Sequence, residues 1–320
     1  MRHYNRYPAE FEEQSFIQII FPHKQSDWIE YLEEAQENFI AIIEAIRRFE
    51  PCLIICDNVL HVKSFFSNHK NLSFIEYQTD DTWARDCSTI SVIEDGEVQL
   101  LDFTFNAWGG KFDASRDNAM NAAISPCKSI DFVLEGGAIE SNGEGTLLTT
   151  SQCLKNPNRN PNSNVDKILK ELLHVKKIIY LHHGYLAGDD TDSHIDTLAR
   201  FISEDTIMYL TCKDKDDEHY KALYAMQEEL RATPYKLIAL PMTEAIYYDG
   251  KRLPATYANF LMINGAVLVP TYNDIHDDEA IEIFKKSFPN REILAIDCSI
   301  LIRQHGSLHC VTMHYPKIIL

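Results

Sequence analysis

The alternation of apolar and polar positions along the chain predicts helices and strands that follow one another in a fixed order. Between Ser26 and Glu50, apolar side chains recur near helical spacing, which predicts an amphipathic helix with Ser26 as its N-cap. A short apolar strand at 52–56 follows at once. The same order is predicted for three further helix and strand pairs, at 162–175 with 176–181, at 217–233 with 235–241, and at 276–288 with 291–297.

Paired strand segments with tight-turn signals lie between these units. Residues 87–103 contain an Asp-Gly pair and residues 260–270 contain an Asn-Gly pair, and both pairs are typical of two-residue β-hairpin turns. The recurring unit is therefore hairpin, helix and strand. About five copies of roughly 60 residues would fill the chain.

This repeated unit predicts the α/β class and a ring architecture. We expect one domain, residues 1–320, built as a five-module α/β propeller of pseudo-fivefold ββαβ units; a two-domain, doubly wound α/β fold is the alternative. No Gly/Ser-rich linker or low-complexity tract divides the sequence. In a ring, the loops of every module converge on one centre, so functional residues should be spread over the whole chain.

Charge and composition narrow the classes of partner. The net charge of −18 argues against binding to nucleic acid, which requires a basic surface, and is compatible with a small cationic ligand. The sequence has a polar N-terminus and no run of about 18 apolar residues, so we expect no membrane segment and a cytoplasmic location. The eight cysteines are scattered, which predicts reduced thiols that mostly serve as small core residues.

Two segments place carboxylates next to apolar strands. In TDDTWARDC, Trp83 and Asp86 could form an aromatic wall with a binding carboxylate, or Arg85 and Asp86 could form a surface ion pair. In FVLEGGAIE, Glu135 ends an apolar strand and should be partly buried, although a simple hairpin turn is the alternative. Both interpretations depend on how deeply the carboxylates are buried.

A third segment, GDDTDSHIDTLARF, carries His194 and Asp196 two residues apart. On a strand these side chains would point the same way, with Arg200 on the same face. The preceding aspartates do not fit a calcium-binding EF-hand, because His194 and Arg200 occupy the positions of its glycine and its bidentate glutamate. A zinc or other metal site on His194 and Asp196 stays open, although the segment lacks the second histidine of a short zinc motif.

The fourth segment, HGSLHCVTM, puts His309 directly beside Cys310. In an extended chain their side chains project to opposite faces, so a base for Cys310 must come from elsewhere and His309 is expected to support the site structurally. A cysteine nucleophile needs a nearby cation that favours its thiolate. The alternative for Cys310 is an inert buried thiol.

Together these segments resemble the agmatine deiminase and bacterial-type peptidylarginine deiminase family of the guanidine-modifying superfamily. The matching words occur in family order over nearly the whole chain: PAEFE (8–12), WARD (83–86), FNAWGGK (105–111), LEGGAIESNGEGTLLTTSQCLKNPNRNP (134–161), HID (194–196), PATYANF (254–260) and GSLHC (306–310). The resemblance implies the pentein fold, which is a five-module α/β propeller.

The resemblance also implies a role for each reactive residue. Cys310 would attack the guanidinium carbon, and His194 would protonate the leaving ammonia and then activate water. Asp86 and Asp196 would bind the guanidinium nitrogens, and Glu135 would support His194 or the substrate. Carboxylates suit this task, because a guanidinium is planar, permanently charged and able to bond in bidentate fashion.

Three further residues are expected to bind substrate together with the aspartates, namely Trp83, Trp108 and Asn259. No metal and no organic cofactor is expected. A non-catalytic binding module and a metal-dependent hydrolase are the contrasting functions. A homodimer is one expected assembly.

The acidic balance of the chain favours agmatine, which carries a second cation, as the substrate. Free arginine or peptidyl arginine is the alternative, since Arg85, Arg200 or Arg303 could bind a carboxylate. The chain departs from the family pattern at 305–307, where Gly-Gly-Asn is typical, at 192–193, where Asn-Gly often precedes the histidine, and after the Arg-Asp of the first segment, where many relatives have Gly-Pro. These loops border the expected pocket, so they bear on the choice of guanidine.

Overall fold

Short mixed sheets carry most of the strands in the computed structural model, which describes residues 5–161 and 163–317. The strands are β1 (Gln14–Ile20), β2 (Cys52–Cys56), β3 (Leu72–Glu76), β4 (Ile90–Glu94), β5 (Glu97–Thr104), β6 (Lys128–Val133), β7 (Ile139–Ser141), β8 (Thr146–Thr150), β9 (Lys177–Leu181), β10 (Ala199–Ser203), β11 (Thr206–Leu210), β12 (Lys236–Leu240), β13 (Tyr247–Tyr248), β14 (Lys251–Arg252), β15 (Leu261–Ile263), β16 (Ala266–Thr271), β17 (Glu292–Asp297) and β18 (Thr312–Pro316).

The helices lie between these strands, and several of them are single turns. They are α1 (Leu32–Ile46), α2 (Val59–Lys63), α3 (Ala84–Cys87), α4 (Ala107–Gly110), α5 (Ser115–Ile124), α6 (Ser151–Leu154), α7 (Val165–Leu172), α8 (Tyr220–Arg231) and α9 (Asp277–Ser287). Turns of 3-10 helix occur at Ile29–Tyr31, Gly136–Ala138, Ile195–Thr197 and Leu301–Gln304.

Five sheets within the described residues share one strand pattern. In β4-β5-β6, β7-β8-β9, β10-β11-β12 and β15-β16-β17, the first two strands are antiparallel and the third, reached through a helix, is parallel to the second. The fifth sheet, β18-β1-β2-β3, pairs the last strand antiparallel to the first, and β2 and β3 follow in parallel. The two ends of the chain therefore complete one sheet.

The predicted order of hairpin, helix and strand is confirmed, and with it the α/β class. A doubly wound fold requires one continuous, mostly parallel sheet, which five separate mixed sheets do not provide. The closure of the five units into a ring and their behaviour as one domain stay predictions. A small hairpin, β13 with β14, is an addition that the apolar pattern did not predict.

Burial explains why the strands and helices have the apolar patterns seen in the sequence. All five residues of β8 and the first five of β16 are buried, which is typical of central strands covered on both faces. Helix α1 buries one stripe, in which Ala35, Phe39 and Ile42 are inaccessible to solvent. Across the described residues, no helix is long and apolar enough to cross a bilayer.

Two expected helix starts differ from the structure. Ser26 does not cap α1, because its hydroxyl donates to the carbonyl of His23 and a 3-10 turn precedes the helix. The helix expected from 162 begins at Val165, where the side chain of Asn164 caps it by accepting the N–H of Lys167. Residue 162 itself lies outside the described residues.

Candidate active site

The turns that lead into the first strand of each of the five sheets carry the candidate residues. Asp86 precedes β4, Glu135 precedes β7, His194 precedes β10, Asn259 precedes β15 and Cys310 precedes β18. Each sheet thus contributes one turn from an equivalent position. The contacts between these turns show that they meet at one place.

Cys310 lies in the turn before β18 and is buried, with 5% of its surface exposed. Its thiol lies 3.4 Å from Oδ1 of Asn259 and 3.9 Å from Oδ2 of Asp196. Burial, together with the charges of Asp196 and Asp86, raises the pKa of Cys310 well above its ordinary value. The group is therefore a thiol until a cation beside it favours the thiolate.

Asn259 ties the Cys310 turn to the Asp196 turn. Its Oδ1 accepts the backbone N–H groups of His309 at 2.9 Å and Cys310 at 3.4 Å. Its Nδ2 donates to the backbone carbonyl of Asp196 at 3.3 Å. Because its side chain is fully buried and bonded to these two turns, Asn259 positions the cysteine; the expectation that it also binds substrate stays a prediction.

Asp196 has one bonded and one unbonded carboxylate oxygen. Oδ2 lies 2.7 Å from Nδ1 of His309, whereas Oδ1 is buried and has no hydrogen-bond partner within 5–161 and 163–317. Burial and the charge of Asp86 raise the pKa of Asp196 well above its ordinary value. A buried acceptor without a donor is costly, so a ligand N–H group at Oδ1 would be strongly favoured.

Asp86 is held by two N–H donors. Its Oδ1 accepts the backbone N–H of Gly137 and its Oδ2 accepts the indole N–H of Trp108, both at 2.9 Å. Burial raises the pKa of Asp86 to about 6, although the two hydrogen bonds lower it. Trp108 has a φ of 54°, a left-handed backbone that is unusual for a bulky side chain and that aims the indole at Asp86.

His194 is buried beside Asp86. Its Nδ1 lies 3.7 Å from Oδ1 of Asp86, and its Nε2 is buried without a hydrogen-bond partner in the part of the chain that the structure describes. Burial lowers the pKa of His194 to about 4, and Glu135 opposes this shift. The ring is therefore neutral at pH 7 and able to accept a proton.

Glu135 pairs with Arg159, and both side chains are fully buried. Nε of Arg159 lies 2.9 and 3.0 Å from the two oxygens of Glu135. The same guanidinium donates to Oδ2 of Asp192 at 2.7 Å and to the carbonyl of Thr191 at 3.0 Å. Burial raises the pKa of Glu135 while Arg159 lowers it. Arg159 thus joins the Glu135 turn to the loop that leads to His194.

Gly137 shows how closely the reactive groups approach one another. A Cβ atom at this residue would lie 2.6 Å from Nδ1 of His194, 2.9 Å from Oδ1 of Asp86 and 3.1 Å from Oδ2 of Asp196. Three reactive groups therefore border the same point. Only glycine leaves room for all of them.

A cleft leads from solvent to Cys310. Trp83 and Trp108 line it as aromatic walls. Its less buried part is lined by carboxylates that belong to Asp27, Asp81 and Asp190. Burial, with the charges of Asp27 and Asp117, raises the pKa of Asp81 to about 8. The mouth of the cleft is therefore rich in carboxyl groups, of which Asp81 ionises only above about pH 8.

Three of the positions that depart from the family pattern around this cleft share a strained backbone. Asp192, Ser193 and His305 have φ angles of 66°, 63° and 67°. Glycine and asparagine adopt this left-handed region at lower cost than other residues, which explains why those residues are typical there. Nδ1 of His305 lies 2.7 Å from the carbonyl of Gly188, so its ring is held at the rim.

One group of potential metal ligands lies in the site. Ligand atoms of Glu135, Cys153 and His194 lie within 4.8 Å of one another. However, Arg159 already bonds both oxygens of Glu135, and its fixed positive charge would repel a cation there. The group does not fit a metal centre, and a metal-free site stays a prediction.

Two local expectations from the sequence were wrong. His194 and Asp196 do not lie on a strand: Thr197 Oγ1 donates to the carbonyl of His194 at 2.8 Å, a 3-10 turn forms, and β10 begins only afterwards. His309 and Cys310 are not extended, because their segment turns onto Asn259. Both ring nitrogens of His309 nevertheless bond carboxylates, in agreement with a supporting role.

The sequence interpretation missed two buried residues that hold the site together. Glu10 lies in the matching word PAEFE and reaches His309, and Arg159 lies in NPNRNP and reaches Glu135. The available signal was that each is a charged residue inside a matching word. Its partners lie too far along the chain to be paired by pattern.

The fold and these contacts define an α/β protein in which a cysteine and an aspartate line one cleft, with a histidine and a second aspartate packed beside them. The sequence model of the Porphyromonas-type peptidyl-arginine deiminase family matches residues 6–316. The chain belongs to this family.

Relatives of known name match over nearly their full length. The agmatine deiminase of Pseudomonas aeruginosa is 32% identical over 97% of this chain and 95% of the relative. The structure of a C. jejuni agmatine deiminase, a cysteine-to-serine variant with substrate bound, is 41% identical with a TM-score of 0.96, covering 99% of this chain and 98% of that chain. A structure from Porphyromonas gingivalis, provisionally named arginine deiminase, is 45% identical with a TM-score of 0.93 and covers 98% of this chain and 99% of that chain.

Proposed function

We propose that this protein is an agmatine deiminase, a hydrolase that converts agmatine and water to N-carbamoylputrescine and ammonia. The observation that carries the proposal is the cleft, which has Cys310 with Asp86 at its base and an acidic mouth. A guanidinium fits the carboxylates at the base, and a second cation fits the mouth. The relatives from P. aeruginosa and C. jejuni, both named agmatine deiminases, support the same function.

Substrate binding prepares the nucleophile. The guanidinium donates N–H groups to Asp86 and to the unbonded Oδ1 of Asp196. Its positive charge then offsets the two carboxylates that raise the pKa of Cys310, so the thiolate forms in the complex. The planar cation presents its central carbon to the sulfur between the aromatic walls.

The first half-reaction forms a covalent intermediate. The thiol proton passes to His194, whose Nε2 has no hydrogen-bond partner among the described residues, and the sulfur of Cys310 adds to the guanidinium carbon. The C–N bond to one terminal nitrogen then breaks, and His194 returns the proton to that nitrogen, which leaves as ammonia. An amidino-thioether remains on Cys310.

The second half-reaction consumes water. Neutral His194 takes a proton from a water molecule, whose oxygen adds to the amidino carbon. As the C–S bond breaks, the leaving sulfur takes the proton back from His194, the O–H proton of the protonated product passes to the released ammonia, and the neutral ureido product is released. The chemistry as proposed requires neither metal nor organic cofactor, and Glu135 with Arg159 keeps His194 in place through these steps.

The mouth of the cleft supports agmatine over arginine compounds. As far as the described chain extends, the lining residues include Asp27, Asp81 and Asp190 and neither lysine nor arginine, which suits a distal ammonium and repels a carboxylate. Arg85 and Arg200, two expected carboxylate clamps, are buried and bonded to Glu10 instead.

An arginine or peptidylarginine deiminase that gives citrulline is the second candidate. The observation in its favour is Arg303, which stacks over Tyr31 and Tyr248 close to the residues Gln304 and His305 that line the cleft. From this place a guanidinium could meet a carboxylate at the rim. The Porphyromonas gingivalis relative is provisionally named for this activity.

We further propose that the five sheets form a ring within one domain, because each sheet contributes one turn to one site. The product would be a precursor of putrescine, which places the enzyme in polyamine biosynthesis. A cytoplasmic enzyme that acts without nucleic acid fits the acidic chain, and assembly as a homodimer stays a prediction.

The test compares ammonia release from agmatine, free arginine and a peptide with C-terminal arginine. We expect the highest kcat/KM on agmatine and no turnover by Cys310→Ala. Activity should survive a chelator and be lost on thiol alkylation. Full turnover by Cys310→Ala would overturn the mechanism, and a preference for either arginine compound would overturn the choice of substrate.

A further inference from the structure

We propose that His309 receives the proton which Asp196 gives up when a guanidinium binds, and that Glu10 stabilises the imidazolium that results. The inference rests on the proposed function and concerns how the site accepts a cation. It assigns a task to a buried glutamate and to the histidine beside the nucleophile.

The two hydrogen bonds of His309 support the proposal, because together they require a fixed number of protons. His309 is buried between two carboxylates, with Nδ1 at 2.7 Å from Oδ2 of Asp196 and Nε2 at 2.6 Å from Oε2 of Glu10. Two such hydrogen bonds require two protons, whereas a neutral imidazole carries one. The second proton therefore sits on a carboxylate or on the ring itself.

Glu10 is held as an anion in the interior. Its oxygens lie 3.3 Å from Nη2 of Arg85 and 2.9 Å from Nη2 of Arg200, and it accepts the backbone N–H of Met262 at 2.9 Å. Although burial raises the pKa of Glu10, Arg200, His309 and Arg85 lower it well below its ordinary value. Glu10 is therefore the acceptor for the Nε2 proton of His309.

Other charged groups face this chain of hydrogen bonds from several elements. His314 on β18 lies 3.4 Å from Glu10, and Arg85 donates to its Nδ1 at 3.0 Å, which keeps that nitrogen unprotonated. The titratable and charged groups that interact with His309, Glu10 or Asp196 include Tyr7, Glu50, Arg85, Asp86, Glu140, Arg200, Arg291, Cys310 and His314.

The location of the second proton differs before and after substrate binds. Burial and Asp86 raise the pKa of Asp196, while burial, Arg200 and Arg85 lower the pKa of His309. Before binding, the proton thus resides on Oδ2 of Asp196. A guanidinium at Oδ1 favours the carboxylate, so the proton crosses the hydrogen bond to Nδ1 of His309 and Glu10 stabilises the resulting imidazolium. No proton enters from or leaves to solvent.

This arrangement predicts a specific pH dependence. In the wild-type protein, Asp196 becomes a carboxylate in the complex without the loss of a proton from the site. In Glu10→Gln, the imidazolium of His309 has no anion beside it, so the proton stays on Asp196. The variant is then active only at a pH high enough for Asp196 to lose this proton to solvent. The acidic limb of the kcat/KM profile should therefore move to higher pH.

The experiment measures kcat/KM for agmatine against pH in wild type, Glu10→Gln, His309→Asn and the double variant. We expect Glu10→Gln to lose about tenfold at pH 7, to recover toward wild type near pH 9, and to move the acidic limb by about one pH unit. In the His309→Asn background, Glu10→Gln should cause no further shift, because Glu10 acts through the histidine.

Asp102→Asn is the matched control, since Asp102 is buried and accepts from Asn121 outside the cleft. It should leave the acidic limb in place. An equal loss at every pH in Glu10→Gln, or additive effects in the double variant, would overturn the inference. Wild-type protein inactive on agmatine would overturn both this inference and the proposed function.

A second measurement does not depend on the folding of a Glu10 variant. In Cys310→Ser labelled with 15N-histidine, the ring nitrogens of His309 should shift to imidazolium values when agmatine is added. The signal is assigned by its absence in Cys310→Ser/His309→Asn. A ring that stays neutral in the complex would contradict the proposed proton transfer.

Discussion

Replacement of Asp86 by asparagine should separate activity from stability. The carboxylate is buried and accepts two N–H groups, from Gly137 and Trp108, each at 2.9 Å. The amide keeps the shape but has one acceptor, so one of these donors would face an NH₂ group. The variant also has one negative charge fewer at the base of the cleft.

The expected magnitudes follow from burial and charge. Loss of one partner from a buried, bidentate ion pair costs roughly 2–5 kcal/mol, which is a loss of about 30-fold to several thousand-fold in kcat/KM for agmatine. The pKa of Asp86 is raised to about 6. This shift means that the ionised carboxylate destabilises the fold by about 3 kcal/mol at pH 8.

The pH dependence of that stability has a definite sign. Because the pKa is higher in the folded than in the unfolded state, Asp86 contributes stability at low pH and loses it as the pH rises from about 4 to about 6. Asparagine does not ionise, so the variant avoids this loss of stability. The N–H donor that faces the amide NH₂ group stays without an acceptor, which offsets the gain in stability by about 1–3 kcal/mol. At pH 8 the variant should be as stable as wild type or slightly more stable.

The assays are ammonia release from agmatine and urea unfolding at pH 4 and pH 8. Asp102→Asn is the matched control, since Asp102 is buried and accepts from Asn121 outside the cleft. It should keep wild-type activity. Asp86→Asn with more than a tenth of wild-type kcat/KM, or with a stability loss of several kcal/mol at pH 8, would refute the reasoning.

Three further changes have defined outcomes. Gly137→Ala should lower kcat at least about 100-fold in the ammonia assay, since its Cβ would displace His194 and Asp86; near-normal turnover would contradict this. Asp81→Asn should raise KM for agmatine about tenfold at pH 9, where Asp81 is ionised, and leave KM for arginine unaffected. It should also abolish the rise in wild-type KM as pH falls through about 8, where Asp81 becomes protonated. Arg159→Gln should cost about 3–5 kcal/mol in urea unfolding, because Glu135 stays buried without its partner; adding Glu135→Gln should restore part of it.

Local patterning predicted most of the regular elements. The helices α8 and α9 and the strands after them lie within the predicted windows, because apolar periodicity and turn residues act over a few positions. The start of α1 was wrong, because Ser26 bonds a neighbouring carbonyl instead of capping the helix. The turn after His194 was also wrong, since one Thr197 hydroxyl outweighs an alternation that favoured a strand.

The reactive residues could be named from family words, but their environments could not. Cys310, His194, Asp86 and Asp196 lie together in the structure, and the roles that the resemblance implies for them stay predictions. By contrast, Glu10 carries no reactive motif of its own, and its partner His309 lies 299 residues away. The local pattern of apolar and polar residues cannot predict such a contact, because the contact depends on how the two ends of the chain pair in one sheet.

The sequence alone determined the α/β class and the order of hairpins and helices, and it predicted which cysteine, histidine and carboxylates form the site. Only the tertiary structure decided which of these groups carry protons. The pKa of Asp86 near 6 and that of His194 near 4 arise from burial. Burial is a property of the assembled sheets, because a charge loses its water only when turns from all five of them surround it.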